Sequence, residues 1–429
     1  MTPRYAFYGD DFTGSTDVLE QLADGGVDAV LFLHLPTPEL LARFPDVKAI
    51  GIAGDSRSRT PQWMDEHLPA IFAALKDAGT VHYKTCSTFD SSPHTGSIGR
   101  ALDIGLAQFG GPAAIVVGAP YMGRYVVFGN LFARAGTSVY RIDRHPTMSR
   151  HPVTPMDEAD LIRHLARQTN KRIALVPITD LHAGSAEARF DAERGSVDAF
   201  LFDAVDTDDL QRTGNLLESR KVRFAVGSSG VTRSLVTAWQ ADGSVRAPTQ
   251  VTTVGGVDRL LVVSGSCSPV TAQQVAAAAR EGFATQLADV AALLRGDSAE
   301  EDRLIQAARS ALSAGQSCVI HSANGPLDDR VPPAGDKLGA ALGRVARALI
   351  RQAGIRRIVF AGGDTSSHGV ARLGVDALTW AAPLEPGAPL VRSHAGDADV
   401  DGLEMVLKGG QIGGEHFFDL ARRGTAAAT

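Results

Sequence analysis

Residues 5–16 read Tyr5-Ala6-Phe7-Tyr8-Gly9-Asp10-Asp11-Phe12-Thr13-Gly14-Ser15-Thr16. A short apolar run stops at a glycine, two carboxylates follow, and a helical pattern begins with Val18, Leu19 and Leu22 on one face. A buried strand that turns at glycine into a helix is the building unit of a mostly parallel sheet covered on both faces. The same unit recurs outward from this point. Val27–Leu33, Val47–Ala53, Val81–Lys84 and Ala113–Val117 read as strands, and Pro61 and His94 open helices between them. Ile173–Pro177, Ala199–Phe202 and Arg223–Val226 continue the alternation, separated by helices near 186–194, 206–219 and 230–240. Residues 119–155 break it: Tyr121, Gly123, Tyr125, Phe128, Tyr140 and several prolines read as an irregular stretch with a hairpin. Whether that stretch is a lid over a ligand or a packing arm stays open.

A second series follows a stretch poor in large apolar residues, ADGSVRAPTQVTTVGGVD at 241–258. Beyond it, strands at 260–263, 283–286, 318–321 and 358–361 alternate with helices at 269–280, 299–314 and 338–353. The fold class expected is therefore α/β, with two domains, each a mostly parallel sheet flanked by helices, and an active site in the interdomain cleft. The expected boundaries are 1–245 for the first domain, 246–258 for the linker and 259–429 for the second.

Composition narrows the functions. The 429 residues are 44% hydrophobic and 21% charged, with a net charge of -6 and no basic tract, so neither nucleic acid nor a membrane surface is expected as a partner. The three cysteines, Cys86, Cys267 and Cys318, are too few and too far apart for a disulfide scaffold, and a cytoplasmic setting is expected. The N-terminus reaches charge within its first residues and reads as neither signal peptide nor membrane span. P-loop, dinucleotide, zinc-protease and G-x-S-x-G motifs are absent from the sequence. Histidines such as His82, His145, His151 and His182 show no ligand spacing and read as structural or surface groups, leaving any metal ligands unknown.

Four polar constellations sit where strands end, the place where open parallel sheets bind ligands. Asp10 and Asp11 come first; taken alone they read equally well as a helix cap and as acceptors for substrate hydroxyls. Asp55-Ser56-Arg57-Ser58-Arg59 offers guanidinium forks for a carboxylate. Lys84-Thr85-Cys86-Ser87-Thr88-Phe89-Asp90 brings one of only seven lysines into a run of hydroxyls, which suits a polyhydroxylated anion. Cys86 has no evident histidine to activate it and reads as a small buried residue. The fourth constellation has three pieces: Ser264-Gly265-Ser266-Cys267-Ser268-Pro269, Gly362-Gly363-Asp364-Thr365, and Lys408-Gly409-Gly410-Gln411-Ile412-Gly413. Glycine turns into helix starts admit phosphate oxygens to backbone amides, so these three together point to a nucleotide site that is not a P-loop.

The stretches GDDFTGSTD, YKTCSTFDSSP, VVSGSCSPVT, FAGGDTSSHG and LKGGQIG, in that order, resemble the four-carbon acid sugar kinases, once catalogued as a domain of unknown function. That resemblance implies an N-terminal domain for the acid sugar and a C-terminal domain for ATP. The implied reaction phosphorylates a terminal hydroxyl of 3-oxo-tetronate, threonate, erythronate or a branched analogue such as 3-oxo-isoapionate. It implies substrate contacts at Asp10, Asp11, Arg57, Lys84, Thr85, Cys86, Ser87 and Thr88. It implies nucleotide contacts at Ser264, Ser266, Gly362, Gly363, Asp364, Thr365, Lys408, Gly409 and Gly410. ATP with Mg²⁺ is the expected cofactor and a homodimer the expected assembly. The catalytic base is expected at Asp10 or Asp11, with Asp364 behind them. Two departures stand out: KGGQIG where many relatives have KSGNFG, and KTCSTFDSSP where others have K-K-x-D-S-T-x-R-G-N, on the sugar side. The rival classes are an aldolase or lyase on similar hydroxy acids, and a sugar-acid sensor without turnover.

Overall fold

The computed structural model describes residues 3–151, 153–248, 252–323 and 335–425, the side chain of Asp364 excepted. The chain divides into two compact units, residues 1–30 with 34–249, and residues 31–33 with 250–429. The strands are β1 (Tyr5–Gly9), β2 (Ala29–Phe32), β3 (Ala49–Ala53), β4 (Thr80–Lys84), β5 (Ala113–Val116), β6 (Arg124–Val127), β7 (Asn130–Ala135), β8 (Ser138–Arg141) and β9 (Ile173–Val176). They continue as β10 (Ala199–Phe202), β11 (Phe224–Gly227), β12 (Leu261–Ser264), β13 (Ala284–Leu287), β14 (Cys318–His321), β15 (Arg357–Ala361), β16 (Val375–Glu385), β17 (Ala388–Ala395) and β18 (Glu404–Lys408).

In the first unit the order is β3-β1-β4-β11-β5-β10-β9, with β2 beside β3. The pairings from β3 to β9 are all parallel. Helices cover both faces, which is why β1, β4, β5 and β10 are buried along their whole length. Met64, Leu68 and Phe72 of the helix Pro61–Leu75 pack with Leu102, Ile115 and Phe224 in one continuous core. Residues 119–141, expected to be irregular with a hairpin, form a 3₁₀ turn and a separate three-stranded antiparallel sheet, β6-β7-β8. A β-bridge ties this arm back at Val126 and Ala204.

The second unit runs β13-β14-β12-β15-β18-β17-β16. Its first five strands are parallel. The antiparallel pair β16–β17, which the sequence reading did not separate out, completes the sheet. The described parts of the expected linker, 246–248 and 252–258, carry neither helix nor strand, while 249–251 lie outside the described residues. Among the described residues no helix is long and apolar enough to cross a membrane.

Candidate active site

In the first unit four strands finish level. Ala53 of β3, Gly9 of β1, Lys84 of β4 and Gly227 of β11 lie in register across the sheet. The next residues stay tied together: the Asp10 amide donates to the Lys84 carbonyl at 2.9 Å, and the Arg57 amide donates to the Asp10 carbonyl at 3.1 Å. The Thr85 amide donates to the Gly227 carbonyl at 2.7 Å. Backbone pairing thus brings Asp10, Asp11, Arg57 and the 84–88 segment, expected together from their motifs, to one end of one sheet.

Their side chains have distinct tasks. Asp11 is the N-cap of the helix Phe12–Asp24 and accepts from the Gly14 amide at 2.6 Å. Arg57 donates to Asp11 at 3.0 Å and, with both bonds at 2.9 Å, to the two oxygens of Asp90. The fork expected for a substrate carboxylate is therefore filled by two carboxylates of the chain itself. Burial works to raise the pKa of Asp90, yet the Arg57 charge and hydrogen bonds from Thr88 and Arg57 hold it down at about 2. Lys84 is buried, with its ammonium 3.6 Å from Asp17. Asp10 is also buried, and its Oδ1 has no partner among the described residues. Burial and the neighbouring Asp11 push the Asp10 carboxyl up to about 8, against the pull of Arg57 and Lys84. Thr85, Ser87 and Thr88 are buried. Cys86, read as a buried residue, is only partly covered, and the Thr88 hydroxyl lies 3.0 Å from its sulfur.

Three participants escaped the sequence reading as site residues. Asp90 lies inside a quoted motif, but its pairing with Arg57 is a tertiary contact. Asp17 lies six residues beyond Asp11 on the same helix and meets Lys84. Thr154 comes from the part of the arm beyond β8, and its hydroxyl donates to Asp90 at 2.9 Å. The arm is thus anchored on the carboxylate that grips Arg57.

In the second unit β12, β15 and β18 also end level, at Ser264, Ala361 and Lys408. The Gly362 amide donates to the Lys408 carbonyl at 2.9 Å, and the Gly265 amide to the Ala361 carbonyl at 3.1 Å. Gly362 caps the helix Gly363–Val370 with φ +116°, a conformation that only glycine adopts without strain. A Cβ on Gly362 would lie 3.3 Å from the Ser266 amide nitrogen and 3.1 Å from the Thr365 hydroxyl. A Cβ on Gly410 would stand 2.6 Å from the Ser266 hydroxyl. Ser264, Ser266 and Thr365 are buried. The expected nucleotide residues are therefore neighbours, while the Asp364 side chain lies outside the described residues. Lys408 is fully buried; its ammonium donates to the Thr271 hydroxyl at 3.2 Å and faces the Phe417 ring at 5.7 Å. Burial pulls its pKa down to about 7. Gln274, which the motifs did not single out, gathers the turn after Lys408 by donating to the carbonyls of Ile412, Gly413 and Gly414 at 3.0 Å each.

The described residues that approach metal-ligand geometry are His182, Asp206 and Asp209. Their oxygens already serve as helix caps and as acceptors from His182 and Arg212. No resident metal is assigned to them.

Comparison with known proteins gives a consistent result. A family described as sugar-binding N-terminal domain matches residues 5–235, and one described as nucleotide-binding C-terminal domain matches residues 261–418. The chain is 45% identical to the 3-oxo-isoapionate kinase of Paraburkholderia graminis, across 98% of this chain and 94% of that protein. It is 33% identical to the 3-oxo-tetronate kinase of Methylobacterium radiotolerans, across 96% and 97% of the two chains. A crystal structure from Salmonella typhimurium LT2 superposes with a TM-score of 0.78 at 26% identity, covering 99% of each chain.

Proposed function

Because this chain belongs to the four-carbon acid sugar kinase family, with its sugar-binding and nucleotide-binding domains, we propose that its own substrate is 3-oxo-isoapionate or a close branched analogue. That the chain is an acid sugar kinase sets aside the lyase and sensor readings. The observation that carries the choice of substrate is the 45% identity to a 3-oxo-isoapionate kinase, against 33% to a 3-oxo-tetronate kinase.

In this reading ATP is held by the second domain through Ser264, Ser266, the Gly362–Thr365 turn and Lys408–Gly410. Amides at glycine turns and the start of the helix Gly363–Val370 suit phosphate oxygens. Mg²⁺ bound to the nucleotide would neutralise part of its phosphate charge. The sugar lies on the first domain, its hydroxyls on Asp10, Asp11, Ser87 and Thr88. Asp10 accepts the proton of the attacking hydroxyl; its unpartnered Oδ1 and a pKa of about 8 suit a base working near neutrality. Asp11, committed as a helix cap and to Arg57, orients that group. Transfer requires the hydroxyl in line with the γ-phosphoryl group and water kept out. We assign the enzyme to the cytoplasm, a reading supported by three free cysteines, and a homodimer is the assembly to check by light scattering.

The deciding experiment is a coupled ADP-release screen across four- and five-carbon sugar acids, including 3-oxo-isoapionate, 3-oxo-tetronate, threonate and erythronate. The highest kcat/KM is expected with 3-oxo-isoapionate; a higher value with an unbranched acid overturns the assignment.

A further inference from the structure

We propose that Arg124 receives the carboxylate of the acid sugar, a role that rests on the kinase reading above and names the group that recognises the substrate as an acid. The argument begins with a charge count at the strand ends of the first unit. Asp10, Asp11, Asp17 and Asp90 supply four carboxylates, and Arg57 and Lys84 supply two cations. With Asp10 protonated, three anions still oppose two cations. Both cations are engaged: Arg57 by Asp11 and Asp90, and Lys84 by Asp17. A bare carboxylate entering this cluster meets like charge, so its recognition needs a cation that the chain has left uncompensated.

Arg124 meets that need. It opens β6, directly after the left-handed turn at Gly123. Its hydrogen bonds leave from Nη1 to the carbonyls of Met122 and Gly123 at 3.2 Å and of Arg134 at 3.4 Å. Its Nε is buried and has no partner among the described residues, and it forms no ion pair among them. The groups that act on it electrostatically are Cys86, Arg134 and Tyr125, none of them a carboxylate. Burial and the like charge of Arg134 both disfavour its charged form. A half-buried guanidinium with no counter-ion is costly and is relieved by an anionic ligand.

Its location fits the substrate segment. Cys86, the shared neighbour, also interacts with Arg57, and Thr88 lies against the Cys86 sulfur. Arg124 therefore lies within electrostatic reach of the 85–88 run at Cys86. The Nε side of a guanidinium matches a carboxylate in two-point geometry, which a lysine at the same place does not reproduce. The antiparallel arm thus carries a recognition group as well as the Thr154 anchor.

The test uses the full chain, with the acid sugar that the wild type phosphorylates and the neutral polyol bearing a hydroxymethyl group in place of its carboxylate. Arg124→Met is expected to raise KM for the acid sugar roughly 10- to 100-fold, the loss of one charge-assisted pair. KM for ATP and kcat stay near their wild-type values, and the preference for acid over neutral substrate falls by the same factor as KM rises. Arg124→Lys keeps the charge and recovers part of the loss. An unchanged acid-over-neutral preference in Arg124→Met overturns the proposal. So does an equal fall in kcat on both substrates, which would make Arg124 a stabiliser of the transferring phosphoryl group. If melting shows that Arg124→Met does not fold, Arg124→Lys decides, and an unchanged acid-sugar KM there overturns the proposal. A wild type that releases no ADP with any sugar acid would instead refute the kinase reading, before any variant is made.

Discussion

Asp10 binds its proton more tightly in the folded chain than in the unfolded one, because burial and Asp11 raise its pKa to about 8. A carboxyl raised in this way stabilises the fold fully below its unfolded pKa, and that contribution is lost as pH rises through the folded value. The melting temperature of the wild type is therefore expected to fall, relative to Asp10→Asn, as pH is raised from about 4 to about 8. Activity has the opposite slope: kcat/KM rises with pH through a midpoint near 8 and levels above it, and Asp10→Asn lowers kcat by roughly 10²–10⁴-fold. Retained turnover in Asp10→Asn would move the base elsewhere. Lys408 gives a second titration. With its pKa pulled down to about 7 it is largely neutral at pH 8, and a nucleotide phosphate beside it draws a proton back. ADP binding at that pH is expected to take up a proton, measured by calorimetry in buffers of different ionisation heat, and Lys408→Met is expected to abolish the uptake. Asp10, Asp11, Lys84 and Lys408 were legible in the sequence because each ends an apolar run. Asp90 and Thr154 were not, because their partners lie 33 and 64 residues away in the chain. Arg57 was legible as an anion-holder, but only the fold shows that two of the protein's own acids occupy it.

Most elements were legible because propensity and periodicity agree. The helices Pro61–Leu75 and Pro269–Arg280 begin with proline in the first turn, and each is capped by a hydroxyl, from Thr60 or Ser268. The pair β16–β17 was hidden for a physical reason: its register shifts near Ala377, Ala382 and Glu385 break the alternation that marks a strand. Only a hairpin was legible in the arm, and its third strand was not, because β8 is largely exposed. Two substitutions test elements. Gly362→Ala puts a side chain at φ +116° where the helix Gly363–Val370 starts, so it is expected to raise KM for ATP and leave KM for the sugar unchanged. Thr154→Val removes the hydroxyl that the arm lends to Asp90. It is expected to cost about 1 kcal/mol of stability, read from denaturant midpoints, and to raise KM for the sugar with KM for ATP unchanged.

At the scale of the molecule, one chain carries two strand-end sites of different chemistry, an acidic, cation-clamped one and a glycine-turn one. If the two binding events are coupled, a non-hydrolysable ATP analogue and the acid sugar together are expected to raise the melting temperature by more than the sum of their separate effects. Simple additivity would mean that each domain binds without regard to the other. The domain alternation was legible because both halves repeat the strand-turn-helix unit; the arm, an insertion between β5 and β9, follows no such repeat. Asp90 ties three distant stretches together, since it accepts from Arg57, Thr88 and Thr154. On the proposed reading, the residues that choose the sugar form a linked set. A graft of 84–93 from a relative with another preference would arrive with its acid facing strangers, and only a transplant that also carries the arm should move the preference intact.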